Sequence, residues 1–374
     1  MQILQIEKLV QGGWGLGRVE GKVFFVPQVL PGEEVEVQET EEKKNFTMAK
    51  VFRIIHPSPD RVTPLCSYFP QCGGCQFYHT AYATEVQIKK QIFKETFSKF
   101  LGCEFPHFSF HSGLWEGYRN RVRFHTQGTS LGFLASRSNS FVPVDFCRIC
   151  VEEVNAFLDQ VKRGKVLLGS TRKKELTLFG YGGTFFWEGG RKEVRVHLSD
   201  KEIYFPLQVF FQSNLGMLER LIVDQILPLS GNRILELYGG VGTFGIFLQD
   251  RCEEYTLVEE HPLATRYARK NLPGKQIHIF TGTVERWISN NSYTSYVDLL
   301  VLDPPRTGLS AIVRKYILSL RPKEILYVSC NPVTQARDLQ ILVRSGYSLD
   351  SVAVYDFYPR TSHLEVVCRL SLCS

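Results

Sequence analysis

Short apolar strands alternate with helices through the C-terminal part of the sequence, and this alternation restricts the possible folds more than any other feature. The strand-like segments are 233–237, 255–259, 298–302 and 324–329. Buried strands joined by helices form a parallel sheet with helices on both faces. The alternation therefore predicts an α/β, doubly wound, Rossmann-like domain over 207–374. The last two strand-like segments, 348–358 and 363–372, could close the sheet as an antiparallel pair.

A glycine-rich loop follows the first of these strands. Tyr238 opens the loop, and glycines occupy positions 239, 240, 242 and 245. Glycines at such a bend let the backbone approach a ligand at a helix N-terminus. Glu259 ends the next strand, where a carboxylate can accept hydrogen bonds from ribose hydroxyls. The pattern predicts a nucleoside-cofactor site, and NAD and S-adenosylmethionine both fit it.

Three reactive side chains follow later strands. Asp303 opens the sequence Asp-Pro-Pro-Arg, Cys330 opens Cys-Asn-Pro, and Glu365 begins the last strand. The carboxyl ends of parallel strands meet at one edge of an open sheet, so we expect Asp303 and Cys330 near the glycine loop. An ordinary thiol, with a pKa of ~8.5, is only a few per cent thiolate at neutral pH. Cys330 therefore needs a nearby cation or base.

A nucleophile, a base and a polar group together suit methylation of a pyrimidine carbon. Carbon 5 of uracil is a poor nucleophile, but addition of a thiolate at carbon 6 gives an enolate that can attack the methyl of a sulfonium. A carboxylate then removes the carbon-5 proton, and the cysteine is expelled. Taken one at a time, Asp303 could be a turn cap, Cys330 a buried filler and Glu365 a solvated acid. Glu365 takes part only if its strand returns next to Cys330.

Two regions precede the α/β domain. Residues 1–56 have short strands and crowded glycines, which predict a small β-barrel. Residues 57–206 contain a helix at about 81–101 and a strand-like stretch from about 108 to 205. In that stretch Arg121, Arg123 and His125 alternate with apolar residues, which places three potentially cationic groups on one strand face.

The composition is that of an ordinary soluble globular protein. With 44% hydrophobic and 22% charged residues, a disordered, collagen or coiled-coil chain is excluded. The net charge of +6 permits nucleic-acid binding without arguing strongly for it. No secretory signal and no bilayer-spanning stretch is visible, so we expect a cytoplasmic protein without a membrane partner. No obligate protein partner is visible either.

Ten cysteines are many for a cytosolic chain of this length. In a reducing compartment, clustered cysteines are metal ligands or nucleophiles more often than disulfides. Cys66, Cys72 and Cys75 can converge on one metal centre, either an iron–sulfur cluster or a structural zinc. A fourth ligand must come from elsewhere, and Cys147 and Cys150 are both candidates.

These motifs together resemble those of the RNA uracil-5-methyltransferases, most closely the bacterial branch that methylates large-subunit (23S) ribosomal RNA. The matching stretches are Cys66-x5-Cys72-x2-Cys75, 210–214 (FFQSN), 236–242 (ELYGGVG), 303–306 (DPPR), 329–332 (SCNP) and 363–365 (HLE). The N-terminal strands resemble the TRAM domain, an RNA-binding module of this family. The family often has Cys at position 239, Asn at 243 and Asn at 283, where this sequence has Gly239, Thr243 and Thr283.

The resemblance implies roles for named residues. Cys330 would be the nucleophile and Glu365 the base, with S-adenosylmethionine as methyl donor. The side chains that would line the S-adenosylmethionine site are Gln212, Tyr238, Thr243, Glu259 and Asp303. Family members with this cysteine pattern bind a [4Fe–4S] cluster, here through Cys66, Cys72, Cys75 and Cys147, with Cys147 favoured over Cys150. The implied domains are a TRAM-like barrel (1–56), a β-rich domain with the cluster (57–206) and a methyltransferase domain (207–374).

The implied partner is RNA. A uracil in folded RNA must be unstacked before a thiolate can reach carbon 6, and the barrel and the Arg119, Arg121 and Arg123 segment are candidates for gripping the flanking RNA. The cysteine pattern and the barrel favour large-subunit ribosomal RNA over transfer RNA. Two other hypotheses remain: a non-catalytic RNA-binding or redox-sensing iron–sulfur protein, and an amine methyltransferase, whose usual Asn-Pro-Pro-aromatic motif Asp303 and Arg306 fit poorly.

Overall fold

The computed structural model describes residues 1–101, 107–168, 175–290 and 296–373, and it begins with a six-stranded sheet. The strands are β1 (Gln2–Gln5), β2 (Lys8–Val10), β3 (Trp14–Val19), β4 (Lys22–Pro27), β5 (Glu34–Glu42) and β6 (Thr47–His56), in the order β1-β5-β6-β4-β3-β2. Val35 and Val37 are buried and alternate with glutamates, which is the pattern of a half-buried strand. A Cβ at Gly15 would lie 2.1 Å from a methyl of Val29, so this position needs glycine.

Helix α1 (Tyr82–Leu101) joins the N-terminal sheet to the rest of the molecule and confirms the predicted helix at 81–101. Ile88 and Ile92 pack on the core of the N-terminal sheet. Phe93 and Phe97 lie in the apolar core under the C-terminal sheet. Because one helix serves both cores, it ties the two sheets together.

The middle of the chain forms a second sheet. Its elements are β7 (Ser109–His111), β8 (Arg121–Gln127), β9 (Ser130–Leu134), β10 (Phe141–Pro143), helix α2 (Glu152–Lys162), β11 (Glu175–Tyr181), β12 (Thr184–Trp187), β13 (Glu193–Leu198) and β14 (Lys201–Pro206). Strands β8 to β12 form a five-stranded sheet, and β13 pairs with β14 as a hairpin.

Helix α2 corrects the prediction of a continuous strand-like stretch from 108 to 205. Val154, Phe157 and Leu158 recur at helical spacing, and all three are buried. The helical period was therefore present in the sequence and was overlooked. The same stretch includes 169–174, which lie outside the described residues.

The C-terminal part is the predicted parallel sheet with helices. The strands are β15 (Arg233–Leu237), β16 (Glu254–Glu259), β17 (Ile277–Thr281), β18 (Leu299–Leu302), β19 (Glu324–Ser329), β20 (Tyr347–Tyr355) and β21 (Glu365–Leu372). The helices are α3 (Leu215–Leu221), which continues into a π-helical turn (Ile222–Ile226), α4 (Gly245–Leu248), followed by a 3-10 turn (Gln249–Arg251), α5 (Pro262–Asn271), α6 (Val284–Asn290), α7 (Ala311–Leu320) and α8 (Pro332–Arg344). Within the described ranges, no helix is both long and apolar enough to cross a membrane.

The strand order is β17-β16-β15-β18-β19-β21-β20-β7. Strands β15 to β19 are parallel, and β21 pairs antiparallel with both β19 and β20, which confirms the predicted closing pair. The order reverses between β15 and β18, so the loops after these two strands diverge and open a crevice at the carboxyl edge. This crevice is where the candidate site lies.

One strand and one helix of the predicted central domain pack with the C-terminal sheet. Strand β7 pairs with β20 at the edge of the eight-stranded sheet, and α1 packs beneath it through Phe93 and Phe97. The predicted domain boundaries at 56 and 206 stay predictions.

Candidate active site

A cavity of about 730 Å³ opens at the carboxyl edge of the parallel strands. All seven side chains that the sequence suggested for chemistry or methyl-donor binding line it: Gln212, Tyr238, Thr243, Glu259, Asp303, Cys330 and Glu365. Thr283, the position left open in the sequence comparison, lines it as well. The fold thus collects in one cleft residues that are up to 153 positions apart in the chain (212 to 365). Their individual roles remain predictions.

The glycine loop forms one wall of the cleft and is held by Glu259. The Glu259 carboxylate accepts hydrogen bonds from the backbone N–H of Gly240 (3.0 Å) and of His261 (2.8 Å). Tyr238 has a left-handed backbone (φ 64°), which is uncommon for a residue with a side chain. At Gly239 a Cβ would lie 2.5 Å from Leu257 Cγ, so this chain packs the loop tightly where the family often has cysteine. Loop and carboxylate therefore form one preorganised unit.

Buried acceptors that lack a full set of protein donors face the same cleft. Among the described residues, the Gln212 Oε1 atom is buried and has no hydrogen-bond partner. Burial raises the pKa of Asp303 to about 7, and the nearby Glu259 adds to the effect. Buried polar atoms are normally satisfied. These acceptors therefore fit a ligand that brings its own hydroxyl or ammonium donors.

Glu236 is a further acid of the cleft, and the sequence analysis did not assign it a role. It is 2% exposed and accepts a hydrogen bond from the Tyr255 hydroxyl (2.7 Å). Burial raises its pKa to about 8. Among the described residues, six carboxyl groups line the cleft: Glu236, Glu259, Glu260, Glu285, Asp303 and Glu365. A cationic ligand would be favoured there.

Cys330 and Glu365 are adjacent because of strand register. Ser329 at the end of β19 pairs with Val366 of β21. Cys330 follows Ser329, and Glu365 precedes Val366, so the antiparallel pairing sets the two side by side. Burial raises the pKa of the Cys330 thiol to about 11, and Glu365 contributes to that rise. The condition stated for Glu365 from sequence, that its strand return next to Cys330, is met.

Arg306 supplies the cation that Cys330 requires, and the sequence analysis did not single it out. Its guanidinium donates a hydrogen bond to the Cys330 thiol, which opposes the rise of the thiol pKa. Burial and the nearby Asp303 raise the pKa of Glu365, and Arg306 opposes that rise too. The Arg306 carbonyl accepts hydrogen bonds from Asn331 Nδ2 (2.9 Å) and Thr334 Oγ1 (3.1 Å), directly after Cys330. The signal for Arg306 was its place in the Asp-Pro-Pro-Arg motif.

The loop between β20 and β21, residues 356–364, forms the opposite wall of the cleft. Tyr358 and His363 of this loop line the cavity with Cys330. Their rings meet edge to face with centroids 6.1 Å apart. Burial lowers the pKa of His363 to about 4, and Arg306 is among the cations that reinforce this effect, so the imidazole is neutral near pH 7. Sequence analysis assigned neither residue a role, although His363 belongs to the 363–365 motif, since a loop side chain has no periodicity to mark it.

The predicted metal-site cysteines line a second, separate cavity. We call residues 66–80, which carry three of them, the cysteine loop. The cavity walls include the thiols of Cys66, Cys72, Cys75, Cys147 and Cys150, and several aromatic rings. Among the residues that the structure describes, neither carboxylate nor imidazole lines it. All five cysteines are free of disulfides. A set of thiols alone suits a soft metal or an iron–sulfur cluster.

The two candidates for the fourth ligand, Cys147 and Cys150, differ in acidity and burial. A hydrogen bond from Cys150 lowers the pKa of Cys147 to about 7, while Cys150 itself is buried. Among the described residues, no three His, Cys, Asp or Glu side chains are placed as a bound metal ion requires. The thiols share a cavity without converging on one point, and the cluster remains a prediction.

The three arginines suggested for RNA contact do not share one surface. Arg119 lines the cysteine cavity, with its guanidinium 5.9 Å from the Tyr358 ring. Arg121 and Arg123 line an open groove beside Leu207. Arg119 is therefore placed between the cysteines and the cleft, and Arg121 and Arg123 alone face that groove.

Two family profiles match parts of the chain. The TRAM domain of tRNA (uracil(54)-C(5))-methyltransferase matches residues 3–59, and tRNA (Uracil-5-)-methyltransferase matches residues 286–372. The first match confirms the predicted TRAM domain. The second covers Asp303, Cys330 and Glu365.

Full-length relatives and a solved structure agree with these matches. An "Uncharacterized RNA methyltransferase" of Thermotoga maritima is 30% identical over 99% of both chains. The "23S rRNA (uracil(1939)-C(5))-methyltransferase RlmD" of Shewanella sp. MR-7 is 29% identical over 99% of this chain and 96% of its own. The Pyrococcus abyssi tRNA (uracil-54, C5)-methyltransferase in complex with S-adenosyl-L-homocysteine is 23% identical, with a TM-score of 0.77 over 99% of this chain and 100% of its own, and shows the same fold.

Proposed function

Because the chain belongs to the RNA uracil-5-methyltransferase family, we propose that it methylates carbon 5 of one uridine in 23S ribosomal RNA. The methyl donor is S-adenosylmethionine, and the reaction passes through a covalent adduct between Cys330 and carbon 6 of the uracil. The observation that carries this proposal is the register that sets Cys330 beside Glu365, next to Arg306. Because ribosomal RNA is located in the cytoplasm, we expect the protein there.

The cleft supports binding of the methyl donor through residues that already face it. Glu259 would accept hydrogen bonds from the ribose hydroxyls, beside the glycine loop whose backbone it already holds. The buried Gln212 Oε1 atom, which has no partner within the described protein, and the Asp303 carboxylate would accept hydrogen bonds from the remaining N–H and O–H groups of S-adenosylmethionine. When bound, S-adenosylmethionine supplies an electrophilic methyl on a positively charged sulfur. That charge would lower the pKa of the surrounding carboxyl groups and of the Cys330 thiol.

The reaction itself is proposed in four steps. The Cys330 thiol gives its proton to solvent water, and Arg306 stabilises the thiolate that remains. The thiolate adds to carbon 6, and the electron pair of the carbon 5–carbon 6 bond moves towards the carbon-4 oxygen as an enolate. Carbon 5 then takes the methyl group, whose bonding pair stays on the donor sulfur. Finally Glu365 removes the carbon-5 proton, the double bond re-forms, and the Cys330 thiolate leaves.

The RNA side of the proposal rests on the cleft mouth and the adjoining groove. Phe210 lines the cleft but is 68% exposed. Exposed aromatic rings stack on unstacked bases. Arg121 and Arg123 line a groove together with Leu207 and Gln208. These two residues directly precede Val209 and Phe210, which line the cleft, so the groove adjoins the cleft. The TRAM domain and these groups would grip the RNA that flanks the flipped uracil.

The test of this function is direct mapping of the product. The purified protein, S-adenosylmethionine and either 23S ribosomal RNA or transfer RNA made without modifications would be incubated, and 5-methyluridine located by mass spectrometry of nuclease fragments. We expect one methylated uridine in the ribosomal RNA. Methylation of transfer RNA alone would show that transfer RNA is the substrate of the same reaction. Methylation of neither RNA would contradict the proposal.

We further propose that Cys66, Cys72, Cys75 and Cys147 hold a [4Fe–4S] cluster. The all-thiol, aromatic-walled cavity supports this choice of ligands. Iron and acid-labile sulfide in anaerobically purified protein test it. Stoichiometric zinc without iron would indicate a structural zinc site instead. Loss of iron in Cys150→Ser but not in Cys147→Ser would show that Cys150, not Cys147, is the fourth ligand.

A further inference from the structure

Arg360 lies at the centre of the β20–β21 loop and is held in an unusual state. It is 4% exposed, and its backbone is left-handed with φ 69°. A residue with a side chain seldom adopts this conformation, and it persists only where the surroundings enforce it. The contacts around Arg360 must therefore hold its backbone in this conformation.

The Arg360 side chain enters a box of aromatic rings that does not belong to the methyl-transfer cleft. The guanidinium carbon lies 4.3 Å from the Trp115 ring, 5.0 Å from Tyr78 and 5.6 Å from Tyr82. Its Nη1 atom donates to the Thr80 carbonyl (2.9 Å) at the end of the cysteine loop. A guanidinium suits such a box because it stacks on ring faces and donates in its own plane.

The backbone of Arg360 is tied to the cysteine loop as well. The Arg360 carbonyl accepts hydrogen bonds from the N–H groups of Gln76 (2.7 Å) and Phe77 (3.1 Å). The left-handed conformation turns this carbonyl towards both donors. The Gln76 Oε1 atom also accepts from the Ser362 N–H (3.2 Å). Gln76 directly follows the proposed metal ligand Cys75, so the two loops are joined at three points beside the cysteine cavity.

A buried set of balanced charges completes the junction. The Arg360 guanidinium forms an ion pair with Glu85 (3.4 Å), which also accepts from the Arg360 backbone N–H (2.7 Å), and Lys89 bridges Glu85 (2.7 Å) and Asp356 (2.8 Å). Two acids and two bases thus neutralise one another away from water. Removing one partner of such a set leaves an uncompensated charge, and a set of this kind specifies geometry more than it adds stability.

The other side of the same loop forms the wall of the cleft. Tyr358 hydrogen bonds with Ser213, and His363 packs edge to face against it. Both line the cavity with Cys330 and Glu365, whereas Arg360 does not. Any influence of Arg360 on the chemistry must therefore pass through Tyr358, His363 and the start of β21.

We propose that Arg360 is a positioning residue for methyl transfer: it clamps the β20–β21 loop onto the cysteine loop, so that Tyr358, His363 and Glu365 take their places beside Cys330 only while the cysteine loop is ordered. The proposal rests on the proposed function for the identity of the reaction. It assigns the cysteine loop a mechanical role in the active site, at a distance from the reacting atoms.

The main test compares Arg360→Met with a matched control. Arg321→Met removes the same side chain from another left-handed position (φ 50°), at the exposed end of α7. For Arg360→Met we expect the single-turnover rate of methyl transfer to fall by about ten- to a hundredfold, since small misplacements have effects of this size. The dissociation constant for S-adenosylmethionine should stay within about twofold, because the glycine-loop wall does not depend on Arg360. Arg321→Met should change neither quantity.

Hydrogen exchange provides a readout that needs no RNA. In Arg360→Met, amide exchange should accelerate together in residues 356–364 and 73–80, while strands β15 and β16 keep their protection. Arg360→Lys retains the cation but loses the planar group that stacks on the rings, so it should recover only part of the rate. Cys75→Ser, which disturbs the cysteine loop from the other side, should accelerate exchange in 356–364 as well.

The outcomes separate the clamp from the function. Unchanged exchange and rate in Arg360→Met would overturn the clamp, as would a loss of protection spread evenly over the whole protein. If Arg360→Met does not fold, Gln76→Ala serves in its place, with a severalfold loss of rate and faster exchange at 360–364 expected, and normal values overturning the clamp. If the unaltered protein makes no 5-methyluridine while exchange still couples the two loops, the proposed function fails and the clamp stands.

Discussion

Cys330 and Glu365 stand side by side because Ser329 of β19 pairs with Val366 of the antiparallel strand β21. The last strand of the chain thereby carries a carboxylate to the end of a parallel strand that carries a thiol. Arg306, anchored through its carbonyl to Asn331 and Thr334, completes the arrangement with a cation.

Replacing the nucleophile should remove the product without removing the fold. We expect Cys330→Ala to bind S-adenosylmethionine normally and to form no detectable 5-methyluridine, because no other described cysteine lines the cleft. RNA that contains 5-fluorouridine should trap a covalent complex with the unaltered protein and none with Cys330→Ala, as read on a denaturing gel. Cys373→Ala, at an exposed position, is the control. Near-normal turnover by Cys330→Ala would refute the covalent mechanism.

Replacing the base should stop the reaction after methyl transfer. Glu365→Gln keeps the shape of the side chain but cannot accept the carbon-5 proton. Turnover should fall by about 10²–10⁴, and a methylated RNA–protein adduct should accumulate with ordinary RNA. The adduct would be detected with a labelled methyl group on a denaturing gel. An adduct level equal to that of the unaltered protein would assign proton removal to another group.

The rate of adduct formation should rise with pH. Burial raises the pKa of Cys330 to about 11 in the unliganded protein, so the thiolate fraction grows about tenfold per pH unit below that pKa. Arg306→Ala removes a cation that lowers the thiol pKa. Its profile should shift to higher pH, and its rate at neutral pH should fall. Single-turnover rates between about pH 6 and 9 measure this, and superimposable profiles for both proteins would contradict the assignment of Arg306.

Binding of the methyl donor should tighten as Asp303 ionises. Burial raises the pKa of this carboxyl group to about 7. Below that pH the group is neutral, and above it the carboxylate attracts a cationic ligand. Calorimetry at about pH 6 and 8 should therefore show severalfold tighter binding of S-adenosylmethionine at the higher pH. Asp303→Asn should bind weakly and lose this pH dependence, and a dependence retained in Asp303→Asn would point to Glu236, whose pKa burial raises to about 8.

RNA binding should depend on salt and on the groove beside the cleft. Arg123 is exposed on β8 and forms an ion pair with Glu175 (3.5 Å), a weak surface pair. Arg123→Ala should weaken RNA binding and reduce the slope of log K against log salt by about one. Arg163→Ala, exposed on the far end of α2, is the control. Binding that ignores salt in the unaltered protein would exclude a phosphate grip.

Most strands and helices of the C-terminal sheet could be predicted from local sequence patterns. The strands that precede the glycine loop, Asp303 and Cys330 were predictable because apolar runs and glycine or proline turns are properties of neighbouring residues. Helix α2 was missed although Val154, Phe157 and Leu158 have helical spacing. The inward position of Arg119 was missed for a different reason: an arginine on a polar segment has no local mark that distinguishes a buried cation from a solvated one.

By itself, the sequence determined four of the five parallel strands (β15, β16, β18 and β19), the glycine loop with Glu259, and the presence of a thiol and a carboxylate at strand ends. Each of these depends on residues close together in the chain. Only the tertiary structure decided that β21 returns beside β19, that Arg306 reaches Cys330, and that Arg360 joins the cleft wall to the cysteine loop. Strand register and burial are set by contacts between residues that are tens to hundreds of positions apart, so no local window contains them.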